Sequence, residues 1–233
     1  VRELLLAGRR RVREILVAAD MEPSQVVDDI VELARDQKVA VREVSRRAFD
    51  AEARTQAPQG VLARCAPLAE TPLDDLAARP GAFLLVLDGV TDPQNLGAVL
   101  RAAECAGVTG VVLPRHRSVH VTPTVTKAAA GAVEHLPLCL VGGVPTAIGR
   151  LRQLEVLTIG LDAAGPTPVF DLPVGPGDRV ALVLGAEGAG LGRLVRQRVD
   201  LLASIPMRGQ LNSLNVAAAA AVACFEVVRQ RER

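Results

Sequence analysis

The sequence predicts an α/β protein in two parts, a small mixed unit followed by a larger one built on a parallel sheet. Three observations predict it. Short β-branched or leucine-rich runs alternate with segments of helical period along the chain. The later runs are apolar at nearly every position, as strands covered on both faces are. A stretch with Pro67, Pro72, Pro80 and Gly81 interrupts the pattern and separates the first series from the second.

The elements follow in order. Val1-Arg-Glu-Leu-Leu-Leu-Ala7 reads as part of a helix; it is short and runs into Arg9-Arg10-Arg11, which is not the pattern of a signal peptide. Residues 12–19 are β-branched and strand-like. Pro23 and Ser24 open a helix in which Val26, Val27, Ile30 and Leu33 recur at three- and four-residue spacing. Residues 39–44 form a second strand, Ser45 caps a short helix through Phe49, and residues 60–65 form a third strand. This gives a small domain over 1–66 and a linker over 67–81 with room for one short helix. In the larger domain, 82–233, strands are expected at 83–87, 110–113, 136–141, 156–161, 180–184 and 201–205. Helices fall between them, notably over 96–106 and 214–229. Ligands of such sheets bind outside the carboxyl ends of the strands.

Composition narrows the classes. Apolar residues make up 49% of the 233, with four Phe and no Trp or Tyr, so the core must be aliphatic. So few aromatics argue against base-stacking platforms for single-stranded nucleic acid. The net charge is +1, so any surface for a polyanion has to be a local patch. Cys65, Cys105, Cys139 and Cys224 are far apart and sit in apolar surroundings. With His116, His120 and His135 they make no metal-ligand spacing, and buried free thiols in a reducing compartment are expected. No apolar stretch reaches the roughly 18 residues of a membrane span. The expected location is the cytoplasm, with no membrane and no metal.

Three polar, glycine-containing segments carry the chemistry. The first is Asp92-Pro-Gln-Asn-Leu-Gly-Ala-Val-Leu-Arg101. Here Asn95 is placed to cap the following helix, Gly97 permits close approach of another backbone, and Arg101 lies six residues after Asn95. Taken alone it fits a well-formed βα turn with a surface arginine, or a site for a phosphate or a developing oxyanion. The second, Leu184-Gly-Ala-Glu-Gly-Ala-Gly-Leu191, sets Glu187 among glycines after an apolar strand. Its spacing is not the GxGxxG of dinucleotide-binding proteins, and no earlier strand is followed by one. An ordinary glycine-rich loop fits it equally. The third, Ile205-Pro-Met-Arg-Gly-Gln-Leu-Asn-Ser-Leu-Asn215, ends a strand and enters an alanine-rich helix. Ser213 and Asn215 are both natural helix-start residues.

Together these segments resemble the three motifs of the SpoU (TrmH-like) RNA 2'-O-ribose methyltransferases. The match rests on Asn95, Gly97, Arg101, Gly185, Glu187, Gly188, Gly190, Pro206, Met207, Ser213, Leu214 and Asn215, and it covers about residues 83–230. Residues 127–137 and 225–231 look like the 23S rRNA guanosine-2'-O-methyltransferase branch. Residues 1–66 are similar to that branch's small RNA-binding domain of L30e-like fold. Its usual Gly-rich start is missing, and Pro58 stands where relatives often have His before Gln-Gly. Both departures bear on the choice of RNA.

The resemblance implies a deep trefoil knot in the parallel-sheet domain, which the general rule against threaded connections would not predict. It implies S-adenosyl-L-methionine as cofactor, held by main-chain groups near Gly185, Gly188, Ile205, Met207 and Leu214. It implies a catalytic set of Arg101, Asn95, Glu187, Ser213 and Asn215 acting on a ribose 2'-hydroxyl. A guanidinium is essentially never neutral in a protein. Arg101 is therefore assigned to stabilising the forming alkoxide and anchoring a neighbouring phosphate. Glu187 is the alternative proton acceptor. The expected substrate is a guanosine of 23S rRNA; a tRNA guanosine enzyme and an antibiotic-resistance rRNA enzyme are the alternatives. A non-catalytic RNA-binding module on the same scaffold would not require the whole polar set. The resemblance also favours a homodimer, joined through the stripe Val216, Ala217, Ala220, Ala221, Cys224, Phe225 and Val228 of the last helix.

Overall fold

Strand-forming runs and helix-period segments sort into two sheets in the computed structural model, which describes residues 1–55, 58–116 and 118–233. In the first unit, Val12–Ala18 (β1), Ala40–Val44 (β2) and Val61–Cys65 (β3) form a sheet in the order β2-β1-β3. β1 runs parallel to β2 and antiparallel to β3. Ile15 packs with Leu5 of Arg2–Ala7 (α1) and with Ile30 and Ala34 of Gln25–Asp36 (α2) on one face. Leu16 and Ala18 pack with Phe49 of Arg46–Glu52 (α3) on the other. The expected Ser45 cap is present: its hydroxyl accepts from the Ala48 N–H at 3.3 Å.

The proline-rich stretch contains one short helix, Leu73–Ala77 (α4), whose Leu76 and Ala77 are fully buried in the core of the larger unit. That unit contains Phe83–Asp88 (β4), Pro93–Cys105 (α5), Gly110–Pro114 (β5), Pro123–Ala128 (α6) and Leu138–Val141 (β6). Val144–Gln153 (α7), Leu157–Leu161 (β7), Thr167–Pro168 (β8), Val180–Gly185 (β9), Arg193–Arg198 (α8), Leu201–Ser204 (β10) and Val216–Arg231 (α9) complete it. Its seven strands lie in the order β6-β5-β4-β9-β7-β10-β8. Every pairing among them is parallel. Alternation along β4 divides the core: Phe83, Leu85 and Leu87 face α5 and α9, while Leu84 and Val86 face α4, α7 and α8. From β4 the chain moves outward to β5 and β6, then crosses to β7, and β9 later enters between β4 and β7. The crevice at the carboxyl ends of β4 and β9 is therefore the place where this topology admits a ligand.

Several boundaries differ from the sequence expectation for local reasons. α5 begins at Pro93 and not Leu96, because Asp92 is its cap and a proline suits the first helical position. β6 begins at Leu138, since a 3-10 turn over Ala132–Glu134 and then Pro137 occupy the residues before it. β8 is a two-residue edge strand with no sequence signal, and Pro168 is tolerated there because an edge leaves its missing donor unneeded. α9 begins after Asn215, so Leu214 lies outside it. The thiols also divide. Cys139 and Cys224 are buried, and burial pushes the Cys224 thiol up to about 12; Cys65 is half-buried and Cys105 is exposed on α5. The expectation of four buried thiols therefore holds for two. Among the described residues no helix is long and apolar enough to cross a membrane, and no cluster of His, Cys, Asp and Glu has the makings of a metal site.

The two units meet through charge. Arg10 Nη1 donates to Glu134 Oε1 at 2.9 Å, and Arg10 Nε donates to the Ala66 carbonyl at 2.8 Å. Arg9 donates to the His135 carbonyl at 2.9 Å, and His135 Nε2 lies 2.9 Å from Glu3 Oε2. Glu134 is 4% exposed, and its second oxygen has no hydrogen-bond partner among the described residues. Removing one member of such a buried pair leaves the other charge unpaired, at a cost of about 3–5 kcal/mol. Arg10→Ala should accordingly lower the thermal unfolding midpoint of the chain by several degrees. An unchanged midpoint would show that the clasp contributes nothing to stability.

Candidate functional site at the carboxyl edge of the sheet

The three polar segments follow β4, β9 and β10, so the fold brings them to one edge. In the first, the Asp92 carboxylate accepts from the Asn95 N–H at 2.7 Å. This corrects the expectation that Asn95 is the cap. The consequence is chemical: with the helix end satisfied by Asp92, the Asn95 amide is free to point outward. Gly97 allows α5 to lie directly on α6. A Cβ there would stand 2.3 Å from the Ala128 Cβ, so the close approach read from the sequence is real.

The second segment closes into a tight hairpin. Ala186 and Gly190 exchange main-chain hydrogen bonds of 3.1 and 2.8 Å. Gly188 at φ +76° and Gly190 at φ +65° occupy the left-handed region that other residues rarely adopt. Gly185 is required for another reason: a Cβ there would meet the Gly190 carbonyl carbon at 2.0 Å. The hairpin is tied back to β4, whose Asp88 carboxylate accepts from the Gly192 N–H at 3.0 Å.

The third segment leaves β10 without regular structure. No main-chain hydrogen bond joins residues 205–214 to any described residue. Asn215 then caps α9, its Oδ1 accepting from the Ala217 N–H at 2.8 Å. Ser213 is exposed and takes no part in that cap.

Three of the five expected polar residues meet. Asn95 Nδ2 donates to Glu187 Oε2 at 2.7 Å, and Asn215 Nδ2 donates to Asn95 Oδ1 at 2.9 Å. A longer contact of 3.4 Å runs from Asn215 Nδ2 to Glu187 Oε1. One residue from each segment thus forms a closed hydrogen-bonded cluster. Arg101 shares α5 with Asn95, about 9 Å further along at the usual helical rise. Its side chain is exposed, on a stripe with Gln94, Ala98 and Cys105, and makes no hydrogen bond or ion pair among the described residues. Ser213, two residues before Asn215, and Arg101, further along α5, do not touch the cluster. Gly185 and Gly188 lie in the hairpin, and Ile205, Met207 and Leu214 in the loop after β10.

Two participants escape a reading of the sequence alone. Asp92 has a usable signal, Asp-Pro before a helical run, which marks a cap with proline at the first position. Asp88 has none, because its partner Gly192 is remote in sequence.

Comparison with known proteins identifies the family of both units. Residues 82–225 match the SpoU rRNA Methylase family. Residues 1–71 match the family described as RNA 2'-O ribose methyltransferase substrate binding. RlmB of Xylella fastidiosa, a 23S rRNA (guanosine-2'-O-)-methyltransferase, is 44% identical over 225 residues, covering 94% of this chain and 89% of its own. RlmB of Salmonella typhimurium is 38% identical over 237 residues, covering 99% and 96%. Among solved structures, the SpoU methyltransferase AviRb from Streptomyces viridochromogenes in complex with AdoMet superposes with a TM-score of 0.81 at 25% identity. That likeness covers 97% of this chain and 86% of AviRb.

Proposed function

This chain belongs to the SpoU rRNA methylase family, and we propose on that premise that it methylates a ribose 2'-hydroxyl of RNA, a guanosine of 23S rRNA, from S-adenosylmethionine. The observation that carries the proposal is the cluster of Asn95, Glu187 and Asn215 at the carboxyl edge, with an uncommitted Arg101 on the helix that supplies Asn95.

The donor set fits such a cofactor. Residues 205–214 present main-chain groups that make no main-chain hydrogen bond with any described residue, next to the apolar side chains of Ile205, Met207 and Leu214. That combination suits a ligand with hydrogen-bonding edges on an apolar body. Main-chain groups near Gly185, Gly188, Ile205, Met207 and Leu214 would hold it. When bound, S-adenosylmethionine supplies a methyl group on a positively charged sulfur. The chain's own task is to make a weakly nucleophilic hydroxyl reactive. Arg101 places a permanent positive charge where the 2'-oxygen develops negative charge, and a fixed charge facing a developing one is strongly stabilising. Glu187 is held by two amides, so its carboxylate has a defined direction for orienting the ribose or receiving its proton. Ser213, next to the cluster in sequence, would contact the acceptor.

Residues 1–66 would present RNA through an L30e-like domain, 67–81 would link it, and 82–233 would carry the methyltransferase in a trefoil knot. The relatives' 23S rRNA specificity and the substrate-binding match of residues 1–71 support the choice of RNA. We further infer a homodimer through α9, with a corrected contact face. Val216, Ala220 and Cys224 of the expected stripe are buried within the subunit. The outward face carries Ala218, half-buried Ala221 and Phe225, which is 49% exposed, while Val222 at its margin packs partly against the core. Sedimentation at micromolar concentration should show twice the 24.5 kDa chain mass; a fully active single species at the chain mass contradicts the dimer. Calorimetric titration should show S-adenosylmethionine binding, and the absence of heat at millimolar cofactor would contradict the donor assignment.

A further inference from the structure

The arginines of the larger unit are unevenly committed. Arg150 is paired with Asp74 at 2.6 Å, Arg152 with Asp200 at 2.6 Å, and Arg196 with Asp162 at 2.8 Å. Arg115, Arg179 and Arg229 likewise hold Glu70, Glu155 and Glu226. Arg198 and Arg231 donate to main-chain carbonyls. Apart from Arg233, the described arginines of this unit with no hydrogen bond or ion pair are Arg101, Arg193 and Arg208, and all three are exposed. Each belongs to, or directly follows, a different one of the three polar segments. Arg193 opens α8 directly after Gly192, whose N–H is bound to Asp88 at the end of β4. Arg208 lies in the loop that runs from β10 to Asn215.

This distribution has an electrostatic meaning. A guanidinium already paired with a carboxylate must give up that partner before it can hold a phosphate, whereas an uncommitted one in water need not. Arg193 and Arg208, beside the polar segments that follow β9 and β10, stand next to carboxylates of Asp88, Asp92 and Glu187 that neutral groups hold, so both guanidiniums are available to a phosphate in a protein whose net charge is only +1. Phosphate contacts of this kind fix the position of the nucleic acid without reading its sequence.

We propose that Arg193 and Arg208 are positioning residues that bind backbone phosphates of the acceptor RNA on either side of the ribose facing Arg101. The proposal rests on reading this edge as the site of RNA methylation. In the pair variant Arg193→Ala/Arg208→Ala, KM for a 23S rRNA transcript should rise at least about fivefold, with kcat and S-adenosylmethionine affinity near wild type. The slope of log binding constant against log salt should fall by about 0.7–0.9 for each arginine removed. Arg193→Lys/Arg208→Lys should recover most of the slope, because a charge alone satisfies the counterion term. Arg150→Ala, which removes an arginine paired elsewhere, should leave KM and slope unchanged. An active wild type whose KM and salt slope are unaltered in the pair variant overturns this inference and leaves the proposed function standing. A wild type that binds the transcript but transfers no methyl overturns the proposed function instead, and the salt slope then still decides whether these arginines hold phosphate.

Discussion

Arg101→Ala should lower the rate of methyl transfer by about 10²–10³, the usual cost of losing one preorganised stabiliser of developing charge. Cofactor affinity should stay at its wild-type value, since the cofactor contacts are assigned to the loops after β9 and β10 and not to α5. Folding should also be unaffected. The side chain is exposed and makes no hydrogen bond among the described residues, so nothing in the subunit is left unpaired by its removal. Arg101→Lys should recover little, because a point charge on a flexible stem does not reproduce the planar fork of donors. Single-turnover transfer measured beside a calorimetric titration separates the two effects. Wild-type turnover in the alanine variant would remove Arg101 from the mechanism.

Gly185→Ala should be the most damaging of the single-methyl changes in the site. The added Cβ would stand 2.0 Å from the Gly190 carbonyl carbon and 2.3 Å from the Leu191 nitrogen, both main-chain atoms with no rotamer to change. Overpacking of this kind costs about 1–3 kcal/mol. The hairpin can relieve it by breaking the Ala186–Gly190 pairing, which draws Glu187 away from Asn95. We expect cofactor affinity to fall by about tenfold or more, the equivalent of 1.4 kcal/mol, while circular dichroism shows a folded chain. Gly188→Ala is the informative comparison. Its Cβ would enter open space, and only the left-handed φ of +76° opposes it, so its effect should be smaller. Equal losses in the two variants would mean that backbone freedom, and not the close approach at Gly185, governs the loop.

Much of the fold was legible because apolar runs and turn residues mark buried parallel strands directly. Phe83–Asp88 and Val180–Gly185 are apolar on both faces, and both lie inside the sheet. The order of strands was not legible. That β9 lies between β4 and β7 depends on which apolar face packs against which, and a uniformly apolar strand carries no mark of its neighbour. The site was legible at the level of its segments, through the resemblance, but not at the level of its bonds. Asn95 and Glu187 are 92 residues apart and Asn95 and Asn215 are 120 apart; only the converging strands bring them together. The reading of Asn95 as a cap failed because Asp92 fits that role better, and the same observation explains why the Asn95 amide reaches Glu187. The small alanines of α9 carried an ambiguous signal. The structure directs Ala220 and Ala223 inward against the subunit's own core and leaves Phe225 outside.

The central claim concerns one oxygen atom of RNA. The most direct measurement is mass spectrometry of the nucleosides released from 23S rRNA after incubation with this protein and isotopically labelled S-adenosylmethionine. The account predicts the label in 2'-O-methylguanosine, with none appearing when Arg101→Ala replaces the wild type on the same time scale. Label recovered in a base-methylated nucleoside, or no label transferred by a wild-type protein that binds both cofactor and RNA, would contradict it.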